Sequence, residues 1–260
     1  MEKVTMRIGE HQILVFCDSF QVWDFIKKNY EPFVVKIEQP DIVIHLEGRY
    51  GVPFVDYKVG VRKEAGNISF QRADYIIEAN LNEGQARIRI HDELALKHAF
   101  MNFYSSYIVH HNWGLLIHSS CAIEKEKAHL FAGPSGAGKS TCAKLSAPRD
   151  ILSDEATLVK ITKNQIIVFN SPFRSDLPAA SIEETIPLAS IQLLHQSLNN
   201  QRTKLGKASA LLQIMDKVFY WTKDHEETKK IIQMIKEVLD HVPVYDLYFQ
   251  KNNTFWELIS

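Results

Sequence analysis

Cysteine is scarce in this chain. There are three in 260 residues, Cys17, Cys121 and Cys142, far apart and without a CxxC pair. That spacing excludes a disulfide framework and a cysteine-built zinc site. It predicts a reducing, cytoplasmic setting in which the thiols serve as small buried hydrophobes. Cys142 alone is placed where an oxidation-sensitive thiol could act, just after the glycine-rich loop described below. An excess of either charge is also missing. The formal net charge is -1, so no global basic field points to nucleic acid or to an anionic membrane. No apolar run approaches the length of a membrane span. Residues 1–7 have no apolar core of signal-peptide length. Internal repeats and low-complexity segments are absent too.

What remains is an ordinary globular composition, 45% hydrophobic and 23% charged, long enough for one large domain or two small ones around a sizeable core. Residues 1–92 read as β-rich. Strand patterns fall at 4–8, 12–16, 41–46, 67–71, 75–79 and 86–90, with Gly66 and Gly84 among the turn residues. Residues 93–110 then carry helical spacing, with Leu94, Leu96, Phe100, Phe103, Tyr104 and Tyr107 on the apolar side. His110 and His111 at its end fit a cationic helix C-terminus better than a metal site. From Trp113 the strands become more continuously apolar. Further strands are expected at 128–132, 151–152, 157–161, 165–169 and 186–196, with Lys163-Asn164 as a hairpin turn. Residues 171–187, with Pro172, Pro178 and Pro187, read as an irregular loop, and 199–206 as a polar loop. Helical spacing covers 208–221 and 224–240. Strands at 244–249 and 254–258 close the chain around a turn at 251–253.

The strongest local signal is Gly133-Pro134-Ser135-Gly136-Ala137-Gly138-Lys139-Ser140, followed by Thr141. This is the phosphate-cradling pattern G-x-x-x-x-G-K-[ST], which chance places in about one chain in a hundred at average glycine usage. Glycine permits backbone angles that turn successive N–H groups inward as an anion nest. Lys139 supplies a point charge for the β- and γ-phosphates, and Ser140 a hydroxyl for Mg²⁺. An apolar strand before the loop and a helix after it, closed at Pro148, supply the expected context, with the positive helix end also facing the phosphates.

A second signal lies fifteen positions after Lys139, where the apolar strand 151–155 ends in Asp154 and Glu155. In a βαβ unit that strand can return beside the first, aiming its C-terminal end at the phosphates. One carboxylate there can hold Mg²⁺, and the other can take the proton of an attacking hydroxyl. This short spacing, and the absence of a transporter-type signature or a guanine-reading NKxD, argue against transport ATPases and GTPases. His118 ends an apolar strand just upstream and could contact a phosphate or the acceptor hydroxyl. Arg174, in a loop after a strand, could clamp phosphate or an acidic substrate, or be a surface arginine.

Together these residues resemble the HPr kinase/phosphorylase family and its divergent relatives, some of them encoded in lasso-peptide pathways. The likeness runs through His118, the strand 128–132, the loop Gly133–Ser140 with Thr141, and Asp154-Glu155. It is strong over residues 113–160 and weaker onward to 260. It implies an α/β fold with a P-loop core of the HPr kinase/PEP carboxykinase-like type, spanning 93–260 behind the β-rich region 1–92. It also implies an ATP- and Mg²⁺-dependent kinase acting on a serine hydroxyl of a protein or ribosomal peptide, with a homo-oligomer compatible. By carry-over Asp154 is the catalytic base and Glu155 the metal-associated acid. Lys139 and His118 support catalysis. Gly133, Ser135, Gly136, Ala137, Gly138, Lys139, Ser140, Thr141 and Arg174 would bind the nucleotide, and Ser140 and Glu155 the metal. The family's glycine-rich loop tied to reverse phosphorylase chemistry has no counterpart here. A small-molecule kinase and a non-catalytic nucleotide-binding module remain open as alternatives.

Overall fold

A computed structural model describes residues 1–64, 66–179, 185–221 and 224–259. They form two compact units in a mixed α/β fold. The first holds residues 1–111 with Tyr220 and Trp221, and the second holds 112–219 and 224–259. Residues 180–184 of the proline-containing segment lie outside the described residues.

The first unit contains β1 (Glu2–Ile8), β2 (His11–Cys17), α1 (Phe20–Tyr30), β3 (Ile42–Glu47), β4 (Gly60–Glu64), β5 (Asn67–Gln71), β6 (Tyr75–Asn80), β7 (Gln85–Ile90) and α2 (Glu93–His110). Its sheet runs β1-β2-β3-β7-β6-β5-β4. Burial alternates along β2, β3, β6 and β7, as expected where one sheet face is covered. α1 packs on β2, and α2 on β6 and β7. Asp92 caps α2 by accepting the Ala95 N–H at 2.9 Å, which satisfies one orphan donor of the first turn.

Three departures from the sequence reading fall here. α1 was not anticipated, because it buries only Val22, Ile26 and Tyr30, a stripe too thin to stand out in sequence. β4 is an edge strand with no buried residue, so no apolar alternation marks it. Leu94 is 45% exposed. It stands two residues from Leu96, on nearly the opposite side of the helix. His110 and His111 bond to Asn82 Oδ1 and the Leu81 carbonyl. Among the described residues no three His, Cys, Asp or Glu cluster as a metal would need. No described helix is long and apolar enough to cross a membrane.

The second unit contains β8 (Gly114–Glu124), β9 (Lys127–Ala132), α3 (Lys139–Leu145), β10 (Ile151–Ser153), β11 (Ala156–Ile161), β12 (Ile166–Phe169), β13 (Ile186–Gln196), β14 (Gln201–Lys204), α4 (Lys207–Met215), α5 (His225–His241) and β15 (Val244–Phe249). The pairings β8–β11–β12–β13–β9–β8 close a ring of five strands. β15 lies parallel to β13, and β14 adds antiparallel to β15. The β10 strand does not lie beside β9. It pairs antiparallel with β8, which also pairs antiparallel with β9. Strands β9 and β10 therefore run the same way on either side of β8, and their C-terminal ends point to one side.

Four more corrections follow. His118 does not end a strand but sits midway along the eleven-residue β8. The polar stretch 199–206 contains β14, an edge strand whose Arg202 guanidinium lies 3.6 Å from the Tyr245 ring centroid. Pairing with β15, not apolar content, makes it a strand. Helix α4 stops at Met215, because residues 217–219 leave it to bond along β8. The closing segment 254–258 is a 3-10 helix, Asn253–Leu258, whose Asn252 side chain accepts the Thr254 N–H. Its consecutive Phe255 and Trp256 are both buried, which a strand with alternating faces would not allow on a one-sided surface.

A buried ion pair in the first unit tests its energetics. Arg72 and Asp74 meet at 2.6 Å with side chains 3% and 0% exposed, and the guanidinium stacks over Phe54 and Tyr75. Truncating one partner leaves the other charge buried alone. Asp74→Ala is expected to lower the unfolding free energy by about 3 kcal/mol or more in urea titration, while Arg72→Met with Asp74→Leu recovers most of the loss.

Candidate functional site

The loop between β9 and α3 carries the Gly133–Ser140 motif, in the order strand, glycine loop, helix. Its backbone turns left-handed at Gly136, φ 79°, and at Gly138, φ 109°. Gly138 is doubly constrained, because a Cβ there would meet Phe249 Cζ at 2.7 Å. Phe249 belongs to an apolar floor with Phe131, Phe255 and Trp256 under the loop. Cys142 is part of that floor, fully buried, and burial pushes its thiol far above the usual range. That environment suits an inert thiol, not an oxidation sensor.

The loop opens on a cleft of about 380 Å³. It is lined by Ser135, Gly136, Gly138, Lys139, Ser140 and Thr141 of the loop and α3 and by His118, Asp154 and Glu155. Gly133 and Ala137 are not among the lining residues. Six of the residues singled out around the loop, the acids and His118 therefore line one cleft. Arg174 does not line the cleft. Its guanidinium donates to the carbonyls of Ser171, Pro178, Ile151 and Leu152 and to Asn170 Oδ1. Burial draws its pKa down to about 10, with Asp154 acting the other way. It straps the 171–178 segment to β10 instead of facing the cavity.

Each cleft residue has a distinct environment. Lys139 is 8% exposed, and its ammonium donates to the Gly133 and Pro134 carbonyls at 3.0 and 3.1 Å. Burial and then Lys217 lower its pKa, while Glu155 raises it. Asp154 is buried, and its oxygens are used unequally. Oδ2 accepts from Ser175 Oγ and the Asp176 and Leu177 N–H groups, while among the described residues Oδ1 accepts the Ser175 N–H alone, at 3.1 Å. Oδ1 therefore keeps accepting capacity. Glu155 stands beside it with Oε2 buried. His118 has no hydrogen-bond partner for its ring among the described residues and packs on Phe219. Burial, then Lys139 and Lys217, hold its imidazole at about 4, so it is neutral near pH 7. Ser140 Oγ, Asp154 and Glu155 make a hard-oxygen donor set. It suits Mg²⁺, which uses one or two carboxylates and leaves positions for phosphate and water.

Three residues were missed in the sequence. Gln196 ends β13 and holds the Gly136 carbonyl at 2.6 Å. Ser175 lines the cleft and clamps Asp154. Lys217 acts electrostatically on both Lys139 and His118. None sits in a motif. Each arrives from a distant segment, so no local signal could have marked it.

Fold and cleft define a mixed α/β protein with a strand–glycine loop–helix cavity faced by paired acids. The chain belongs to the ScmC family, described as SynChlorMet cassette protein ScmC, whose model matches residues 88–260. Comparison with the curated proteins gives no match.

Two outcomes test this geometry. Gly138→Ala is expected to cost about 2 kcal/mol or more in urea unfolding, from left-handed backbone strain and collision with Phe249. Gly60→Ala, where a Cβ meets only the Gln71 carbonyl at 3.7 Å, an ordinary contact, is the mild control. His98, His118 and His129 are all lowered to about 4, each first by burial. Their unfolded forms titrate near 6.5 and so take up protons first as pH falls. The stability they contribute is present above pH 6.5 and lost on acidification toward 4. Urea midpoints measured across that window should fall, and His118→Gln should remove part of the slope.

Proposed function

We propose that this cleft binds ATP and transfers its terminal phosphoryl group to a serine hydroxyl of a protein or peptide. The reading includes a P-loop core of the HPr kinase-like type. The observation that carries it is the meeting of Lys139 and Ser140 with Asp154 and Glu155 in one cavity. Cation, hydroxyl and adjacent acids are the groups phosphoryl transfer needs, since catalysis there is mainly positioning and charge stabilisation. The resemblance of residues 113–160 to the HPr kinase family supports the same reading.

On this reading the inward-turned N–H groups of the loop cradle the phosphates. Lys139 turns from the Gly133 and Pro134 carbonyls to the phosphate oxygens. Ser140 and Glu155 hold Mg²⁺, which supplies charge neutralisation on the phosphates when bound. Asp154 Oδ1 accepts the proton of the acceptor serine. The serine oxygen bonds to the γ-phosphorus as the bond to the β–γ bridging oxygen breaks, and ADP leaves. Ser175 and the 176–177 backbone keep Asp154 in place for this step. His118, neutral, offers a ring nitrogen to the acceptor or to the phosphoryl oxygens.

The test is phosphate transfer from labelled ATP in a cell extract, split by molecular size. Label is expected in the protein or peptide fraction. Asp154→Asn should reduce transfer by about a thousandfold or more while nucleotide binding persists, because base catalysis is lost but the loop is intact. Label confined to small molecules, or transfer unchanged by Asp154→Asn, would refute the acceptor class or the base.

A further inference from the structure

We propose that Ser175 is a self-phosphorylation site, whose hydroxyl accepts the terminal phosphoryl group of a nucleoside triphosphate bound by the same chain. The inference rests on the nucleotide reading above and adds an acceptor that lies within the molecule.

Ser175 lines the cleft together with Lys139, Ser140, Asp154 and Glu155, and it is exposed. Its Oγ–H donates to Asp154 Oδ2 at 3.1 Å. A general base must stand within hydrogen-bond reach of the proton it takes. Here that condition is met by a serine of the chain itself. Three other hydroxyl side chains line the cleft, those of Ser135, Ser140 and Thr141. Among the described residues, Ser175 is the one of the four whose hydroxyl donates to a carboxylate.

Holding Asp154 in place does not account for this hydroxyl. The N–H groups of Ser175, Asp176 and Leu177 already donate to the carboxylate at 3.1, 2.8 and 2.9 Å. Any residue but proline at 175 would supply the same backbone donors, and such bonds suffice to hold an ionised carboxylate. The hydroxyl is a fourth donor, redundant for orientation and placed where the chemistry occurs. Its neighbours are fixed on both sides. Phe173 is fully buried, and the Arg174 guanidinium donates to the Ile151 and Leu152 carbonyls of β10. Asp176 pairs with Lys144 of α3 at 2.9 Å. Ser175 is thus tied through its neighbours both to the strand that leads to the acids and to the helix that follows the glycine loop. Acceptor, base and phosphate loop held in one cavity make the transfer intramolecular.

In that transfer Ser175 Oγ bonds to the γ-phosphorus while the bond from phosphorus to the β–γ bridging oxygen breaks. ADP leaves, and the hydroxyl proton passes to Asp154 Oδ2. The product loses the Oγ–H donor and sets a phosphate of about two negative charges beside the Asp154 carboxylate.

The test is incubation of the phosphatase-treated full chain with ATP and Mg²⁺ alone, followed by peptide mass spectrometry. Phosphate is expected on Ser175, at a rate per chain that stays constant over about a hundredfold dilution, as an intramolecular step requires. Asp154→Asn should slow the modification about a thousandfold or more. Ser175→Thr keeps a hydroxyl and should take phosphate at the same position. Calorimetry with ATP on the wild type separates this inference from the nucleotide reading. A wild-type chain that binds ATP yet gains no phosphate on Ser175 overturns the inference and leaves the nucleotide site standing, with no variant involved. So does a rate that falls in proportion to dilution, since Ser175 is then reached from another molecule. Modification unchanged in Asp154→Asn overturns the role of the Oγ–Oδ2 contact. A wild-type chain that binds no ATP overturns both readings.

Discussion

The site depends on one strand being hydrogen-bonded on both edges. Three consecutive residues of β8 each hold a different segment at or beside the cleft. The His118 N–H holds Lys217, the Ser119 N–H holds the Glu155 carbonyl, and Ser120 Oγ donates to the Lys139 carbonyl at 2.9 Å. Successive groups of an extended chain point to opposite sides, so a single strand can grip its neighbours on both sides within three residues. Ser119, Ser153 and Thr157 add a buried hydroxyl network at the same junction. With β9 and β10 flanking this strand and running the same way, the glycine loop and the acids are brought to one side of β8.

Packing and electrostatics then set opposite demands on the cleft. Beneath the loop an aromatic floor leaves no room for a side chain at Gly138. Above it, the Lys139 ammonium donates to carbonyls of its own loop, and the imidazole of His118 is kept neutral by burial and by two lysines. The acids are held differently. Asp154 is clamped by the 175–177 segment, which Arg174 ties in turn to β10, so its orientation is set by a web of backbone donors and acceptors. Rigid walls with unbalanced charge are what the proposed phosphoryl-transfer reading requires of a site before its ligand arrives.

Legibility followed the range of the forces involved. The Gly133–Ser140 loop, the acids after a short strand and most apolar strands were readable, since each is specified by neighbours in sequence. α1 and β4 escaped because they bury little. β14 and the closing 3-10 helix were misread because pairing with β15 and burial of adjacent Phe255 and Trp256 outweigh local preference. His118 was identified as a candidate but placed at a strand end. The apolar run stops there, while the hydrogen bonding continues to Glu124. Arg174 was read from its loop position as a clamp for phosphate or an acidic substrate, or as a surface arginine, whereas the structure commits it to backbone carbonyls and Asn170 Oδ1.

The sequence by itself determined the chemical inventory: a glycine loop able to turn its N–H groups inward, a lysine and serine at its end, and two acids after the next short strand. Those properties depend on residue type and close spacing, through backbone freedom and side-chain chemistry. Only the tertiary structure decided that β8 stands between the two strands. It likewise decided that Gln196 and Ser175 join the cleft, and that Arg174 turns away from it. Such placements depend on which distant backbone groups pair and which side chains are buried together, and neither is encoded in any local stretch of the chain.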